Sequence, residues 1–212
     1  MKIDVIDLRL DYKDGSETQT IFQKTNVSIE SNTPNIIVGP SGSGKSSLLY
    51  LLSSLRMPTS GVIKYSTQQG QFTKVDEKFR YENFGFIFQQ PYLIPYLSVS
   101  ENIALARSDK DLSKEIREWL ERLQLTHLAN KYPHQLSGGE KQRIAIIRAL
   151  IKKPLFVFAD EPTASLDKKN AEDIYSILTD ECKKKTLVIA THDMSLLNGT
   201  ERILQIKDKT IE

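Results

Sequence analysis

The segment Asn35-Ile36-Ile37-Val38 runs into Gly39-Pro40-Ser41-Gly42-Ser43-Gly44-Lys45-Ser46-Ser47, and Leu48-Leu49-Tyr50-Leu51-Leu52 follows. Three of the ten glycines fall within these six positions, 39 to 44. The flanks constrain what the loop can be. Asn35–Val38 has the short apolar character of a buried strand, and the leucine-rich run from about Lys45 predicts a helix. A glycine-rich turn from a strand into a helix turns backbone N–H groups inward beside the positive end of the helix dipole, an arrangement that suits a phosphate.

The spacing narrows this further. Gly39, four residues, then Gly44-Lys45-Ser46 fits G-x-x-x-x-G-K-[ST], the P-loop pattern, which predicts a nucleotide site. In such a loop Lys45 reaches the β- and γ-phosphates and the Ser46 hydroxyl ligates Mg²⁺.

Leu155-Phe156-Val157-Phe158-Ala159 and Thr186-Leu187-Val188-Ile189-Ala190 are short, continuously apolar runs, as expected of parallel strands buried on both faces. Phe84 to Phe88 adds another. The N-terminus, MKIDVIDLRLDYKDG, alternates like an edge strand and lacks the apolar core of a signal peptide. Leu112, Ile116, Trp119, Leu120 and Leu123 share one helical face, Trp119 belonging to the core. Further helices are expected from about Glu140 to Ile151 and from about Lys169 to Cys182. The stretch from 90 to 151 shows no convincing strand. It reads as a helical lobe inserted into an α/β core formed by 1–89 and 152–212, all within one domain.

Asp160 and Glu161 follow the first of those runs, with Pro162 behind them. Ligands collect beyond the carboxyl ends of parallel strands. There Asp160 can hold Mg²⁺ and Glu161 can polarise a water. A second glycine-rich segment, Leu136-Ser137-Gly138-Gly139-Glu140, opens a helix and offers another phosphate cradle. One nucleotide does not need two cradles, so the second is expected to serve a nucleotide held by another molecule.

Lys and Arg exceed Asp and Glu by only 29 − 27 = 2, so no strong field points to nucleic acid. Lys183-Lys184-Lys185 reads as a solvated helix end. Cys182 is the only cysteine, which excludes a disulfide framework or thiolate metal site and fits a reducing compartment. No run approaches the roughly 18 apolar residues of a membrane span.

GPSGSGKSS, the IFQ ending at Gln89, LSGGE, FADEP, SLD (165 to 167) and THD (191 to 193) stand in the order found in ATP-binding-cassette (ABC) ATPases, and the chain resembles that family over nearly its whole length. The resemblance implies an α/β P-loop NTPase fold of the RecA-like kind: a mostly parallel sheet, an antiparallel β edge near the N-terminus and an inserted helical subdomain. It implies ATP and Mg²⁺ as ligands, with Gly39 to Ser47 around the phosphates and Ser46, Gln89 and Asp160 at the metal. Glu161 is implied as the base, with Lys45, Gln89 and His192 as its catalytic companions; Gln90 is the rival of Gln89. Tyr12 matches the aromatic that stacks on adenine, although it also suits a strand end. His127 and His134 have no such support and read as structural or solvated. Head-to-tail pairing would bring Leu136, Ser137, Gly138, Gly139, Glu140 and Asp167 of one subunit to the ATP of the other. The pair would be a homodimer, or a heterodimer with a sister ATPase.

Within the family, residues 82 to 106, Ala159 and the short tail look like the stand-alone ATPases of the lipoprotein-release, macrolide-export and antimicrobial-peptide-resistance group. That resemblance implies a separate integral-membrane permease, docked near Gln89 and the 91–99 segment, with the ATPase peripheral on the cytoplasmic face. Extrusion of a lipoprotein, peptide or antimicrobial is the implied function. Three alternatives stand beside it: an amino-acid importer ATPase, a module signalling through a membrane partner to a cell-wall hydrolase, and a translation or repair cassette. The last lacks its expected second cassette, basic linker or coiled-coil insertion. A small-molecule kinase would leave LSGGE and His192 unexplained.

Overall fold

The computed structural model describes residues 1–15, 17–107, 111–164 and 166–212. Two sheets sandwich one helix. The first sheet is antiparallel and four-stranded: β1 (Lys2–Asp14), β2 (Glu17–Glu30), β4 (Ser60–Thr67) and β5 (Gly70–Phe72), in the order β2-β1-β4-β5. The second contains β3 (Asn35–Val38), β6 (Phe84–Ile87), β7 (Phe156–Asp160), β8 (Thr186–Ala190), β9 (Arg202–Lys207) and β10 (Thr210–Ile211). Its order is β10-β9-β3-β8-β7-β6, and every pair is parallel except β9 with β10. This is the α/β P-loop architecture that the motifs imply.

Between the sheets lies α1 (Lys45–Leu52), whose Leu48, Leu49, Leu51 and Leu52 are fully buried. They pack against Ile3, Val5, Leu8 and Leu10 of β1 on one side and Phe156, Phe158, Val188 and Ala190 on the other. Val157, Ala159, Leu187 and Ile189 point to the opposite face of the parallel sheet, which α5 (Gly138–Leu150) and α6 (Lys168–Glu181) cover. The period of two therefore distributes each strand between two cores. Burying a side chain such as Phe156 or Phe158 contributes about 1.5–3 kcal/mol.

A third core joins α3 (Val99–Ala104), α4 (Ser113–Arg122) and α5 through Val99, Ile103, Ile116, Leu120, Ile144 and Ile147. Helix α5 thus serves two cores, with Ile146, Ala149 and Leu150 turned to the sheet and Ile144, Ile147 and Ile151 turned to the helices. From 90 to 151 the described residues contain helices and turns and no strand. The short α2 (Glu77–Asn83) leads into β6. Trp119 is half-buried and bridges the second and third cores. Cys182 is buried, which pushes its thiol pKa up to about 12. Among the described residues no helix is long and apolar enough to cross a membrane.

One sequence expectation is corrected. The N-terminal strand is not an edge: β1 lies between β2 and β4, paired on both sides. Its alternation records a strand buried on one face, and that pattern is the same for an inner strand of an antiparallel sheet as for an outer one.

Gly85 marks where α5 meets β6. A Cβ there would sit 2.8 Å from the Ala149 carbonyl oxygen and 3.0 Å from Pro154 Cγ. Backbone cannot swing aside as a side chain can. We expect Gly85→Ala to destabilise the fold by about 1–3 kcal/mol, measured as a lower urea midpoint at unchanged slope; an unchanged midpoint would mean that α5 is free to shift.

Candidate nucleotide site

A cleft of about 430 Å³ opens at the carboxyl ends of the parallel strands, lined among the described residues by Ile21, Ser41, Gly42, Gly44, Lys45, Ser46, Ser47, Gln89, Glu161 and His192. Strand β3 ends at Val38 and α1 starts at Lys45, so the loop between them carries the glycines. Gly44 caps α1 with φ of 102°, and a Cβ on it would fall 2.6 Å from Ile21 Cγ2. A larger residue is excluded there by both backbone and space. The Lys45 ammonium donates to the carbonyls of Gly39 (3.0 Å) and Pro40 (3.3 Å) and lies 3.9 Å from Glu161 Oε1. Ser43 N–H donates to Pro40 O at 3.2 Å, and the Ser43 Oγ is buried at the back of the loop.

Ser46 Oγ donates to Asp160 Oδ1 at 2.9 Å, tying the first turn of α1 to the end of β7. Burial pushes the Asp160 carboxyl above its ordinary value of 3.8, with the Ser46 hydrogen bond pulling it down and the Glu161 charge pushing it up. A hydroxyl and a carboxylate beside a phosphate loop fit Mg²⁺, which takes one or two carboxylates and completes its shell with phosphate oxygens and water. Among the described residues no group of three or more His, Cys, Asp or Glu forms a cage for a metal ion. An ion here needs the nucleotide's oxygens as well.

The next residue turns the other way. Glu161 has φ of 45°, in the left-handed region that is costly for a residue with a side chain. Its N–H donates to Ala190 O at 2.9 Å, and its carboxylate reaches the cleft. His192 Nδ1 lies 2.9 Å from Glu161 Oε2. A carboxylate only accepts, so Nδ1 carries the proton and Nε2 is the ring nitrogen left for other partners. Thr191, just before His192, is anchored by its N–H to Ile37 O at 3.1 Å.

Gln89 lines the cleft, whereas Gln90 is not among the described lining residues. The backbone on both sides of these glutamines is tied to α5. The buried Gln142 donates to Phe88 O at 3.2 Å, and Arg148 donates to Pro91 O (2.7 Å) and Tyr92 O (2.9 Å). Farther on, the buried Asn102 donates to the carbonyls of Ile94, Leu97 and Ser98 and accepts from Ile94 N–H. Tyr92 and Tyr96 project from this loop, 61% and 78% exposed.

The second cradle is elsewhere. None of the residues 136–140 is among those described as lining the cleft. Leu136 is buried in the third core and Ser137 caps α5, accepting from Glu140 N–H. Ser137 also donates to Glu140 Oε2 from its N–H (2.7 Å) and hydroxyl (2.8 Å), which holds the Glu140 carboxyl below its ordinary range. Gly138 is exposed, and Gly139 packs against Asn170, which donates to Asp167 from N–H and side chain. Arg143 of α5 donates to Asn170 and Asp173, so LSGGE and Asp167 form one cluster. Ser165 of the SLD motif lies outside the described residues. His127 and His134 are exposed. Tyr12 is not a described lining residue of the cleft, but its hydroxyl lies 3.1 Å from Ser47 Oγ.

Ile21, Asn170, Arg143, Gln142 and Arg148 were not marked by any motif. Only their placement in space gives them a part in these two clusters.

The family model for ABC transporters matches residues 22–164, most of the chain. The chain belongs to the ABC transporter family. It is an ATP-hydrolysing cassette of that family, similar to a lipoprotein-releasing system ATP-binding protein, LolD, of Idiomarina loihiensis, at 35% identity over 95% of this chain and 92% of the relative. It is equally similar to a putative hemin import ATP-binding protein, HrtA, of Staphylococcus haemolyticus, at 35% identity over 95% of both chains. The MJ0796 bacterial ABC transporter cassette, solved as a dimer, superposes with a TM-score of 0.84 at 34% identity, covering 99% of this chain and 96% of that one. A second dimeric structure of that cassette, in a post-hydrolysis state with ADP and Pi, superposes with a TM-score of 0.82 at 33% identity and the same coverage.

Ser46→Ala removes the hydrogen bond that favours ionised Asp160. We expect a stability loss of about 1.5–3 kcal/mol near pH 7.5. Because the substitution raises a carboxyl pKa that burial has already raised, the loss is complete above the variant's Asp160 titration and shrinks as the pH falls through it toward the wild-type value. Urea unfolding at pH 7.5 and at pH 4 checks this; an equal loss at both would place the effect outside Asp160.

Proposed function

We propose that two copies of this cassette close head to tail around two Mg-ATP molecules and drive a separate membrane permease. The single observation that carries this reading is the separation of the two cradles. Lys45 and Glu161 share one cleft, while Ser137 and Gly139 sit in another cluster beside Asp167. A γ-phosphate held by Lys45 in one copy recruits the Ser137 and Gly139 donors of the other. The MJ0796 cassette is dimeric in two solved structures, which supports pairing of two copies.

The geometry of the cleft supports the following roles. Lys45 and the backbone N–H groups of the 39–47 loop, Pro40 excepted, would hold the phosphates, and Ser46, Asp160 and Gln89 would hold a metal ion. Such an ion, when bound, would supply positive charge that offsets the negative charge of the phosphates. Glu161 takes a proton from the attacking water as its oxygen bonds to the γ-phosphorus and the bond to the β-phosphate oxygen breaks, releasing ADP and phosphate. His192, fixed through Nδ1 on Glu161, orients that carboxylate and turns Nε2 toward the phosphate. The LSGGE donors stabilise charge as it develops.

The permease contacts the 91–99 loop, where Tyr92 and Tyr96 stand out and Arg148 and Asn102 hold the backbone. The cassette then sits on the cytoplasmic face of the membrane. Lipoprotein, peptide or antimicrobial extrusion is the transport reading we favour, supported by the LolD relative. Co-purification with the membrane partner, followed by mapping of its topology, tests that choice.

Replacing Glu161 with Gln removes the base and keeps the shape. Turnover should fall at least about a hundredfold while Mg-ATP shifts the variant to a dimer in size-exclusion chromatography. A variant that stays monomeric with Mg-ATP at micromolar protein would refute closure by ATP. Wild-type hydrolysis per subunit should also rise with protein concentration and collapse in Ser137→Arg; a rate independent of both would leave the second cradle without a part.

A further inference from the structure

Tyr12 sits where β1 passes the start of α1, and two side chains hold it. Its hydroxyl meets Ser47 Oγ at 3.1 Å. The guanidinium carbon of Arg56 lies 3.8 Å from the centre of its ring. The segment carrying Arg56 is itself fastened to β1: Asp11 N–H donates to Thr59 Oγ1 and Thr59 N–H donates to Arg9 O, both at 2.8 Å. Arg56 N–H in turn donates to Tyr50 O at 3.0 Å, at the end of α1. Arg56 lines a different cavity, with Leu51, Met57 and Val62, and is not a described lining residue of the phosphate cleft. It therefore reaches the tyrosine from outside the described lining of the phosphate cleft.

We propose that Arg56 is a positioning residue for nucleotide binding: its guanidinium covers one face of Tyr12, holds the ring against Ser47 and leaves the other face as a platform for the base. The proposal rests on the reading of Tyr12 as the base-stacking residue and adds what prepares it. A flat cation over one face of an aromatic ring is attracted by the ring's quadrupole. It also draws electron density from the ring, which favours stacking of an electron-rich purine on the opposite face. A ring already held upright loses less freedom when the base arrives. Lysine supplies the charge but not the plane, so it replaces arginine only in part.

The test compares ADP with inorganic pyrophosphate, which carries the same phosphates without a base, by calorimetry with Mg²⁺ on Arg56→Ala, Arg56→Lys, Tyr12→Leu and the Tyr12→Leu/Arg56→Ala double variant. Arg56→Ala should weaken ADP about three- to tenfold and leave pyrophosphate unchanged, with Arg56→Lys in between. In the Tyr12→Leu background, Arg56→Ala should cost nothing more. An unchanged or tighter ADP affinity, an equal loss for pyrophosphate, or the same loss without Tyr12 would each overturn the proposal. If Tyr12→Leu binds ADP as the wild type does, the platform itself is wrong and the proposal falls with it. Should the alanine variant fail to fold, Arg56→Lys carries the comparison, and an ADP affinity equal to wild type then overturns the proposal.

Discussion

The hydrogen bond from Ser46 to Asp160 joins residues 114 apart in sequence and fixes the first turn of α1 against the end of β7. Other parts of the site depend on that junction. With α1 held there, its four leucines fill the space between the two sheets, and the positive end of its dipole faces the cleft. The same contact leaves Asp160 at the rim, where the strand ends and Glu161 can turn away from it. A protein that buries a carboxylate beside a phosphate loop accepts a cost, visible in the raised Asp160 pKa.

Parts of this were legible in the sequence because the local pattern and the tertiary environment agree. Asn35–Val38 and Thr186–Ala190 are buried on both faces, so a continuous apolar run and a strand coincide residue for residue. Strand β2 escaped notice for the opposite reason: most of its residues are exposed or half-exposed, and its signal is diluted over fourteen residues. Strands β4, β5, β9 and β10 are similarly half-exposed or very short. The motifs mark Lys45, Ser46, Gln89, Asp160, Glu161 and His192 but not Ile21, which enters the same cleft through the long β1–β2 pairing. Contacts made across such distances leave no local trace. Arg56 on Tyr12 is another, since nothing in a 44-residue separation suggests a stacked pair.

Helix α5 links the LSGGE segment to the glutamine loop, although LSGGE stands apart from the phosphate cleft. Its first turn carries Ser137 to Glu140, its middle sends Gln142 to the Phe88 carbonyl, and its last turn sends Arg148 to Pro91 and Tyr92. One rigid element thus touches the LSGGE cluster, the glutamine loop and the loop proposed to meet the permease. Apolar side chains on two of its faces join the sheet to the helical core. A displacement of either end is carried along α5, because close-packed interiors shift as units and do not deform smoothly. The close approach at Gly85 anchors its far end on β6.

Two of the ten non-glycine residues with positive φ among the described residues fall at these linked places. Glu161 and Tyr92 both have positive φ, at 45° and 43°, although neither is glycine. Relaxing Glu161 to extended geometry would continue β7 and, by strand alternation, carry its side chain off the Asp160 side of the sheet without the turn that brings it to His192. The hydrogen bonds that oppose this relaxation are specific: Glu161 N–H to Ala190 O, Ala164 N–H to Glu161 O, and the carboxylate to His192. Tyr92 is restrained by Arg148 at its own carbonyl and at the one before it. Strain of this kind costs about 1–3 kcal/mol per residue and persists only where neighbours over-determine it. Here those neighbours are β8 for the carboxylate, with His192 two residues beyond its end, and α5 for the tyrosine, with the LSGGE segment at its start. The chain therefore holds its proposed base and its proposed partner-facing loop in place through the same elements that position His192 and the LSGGE segment.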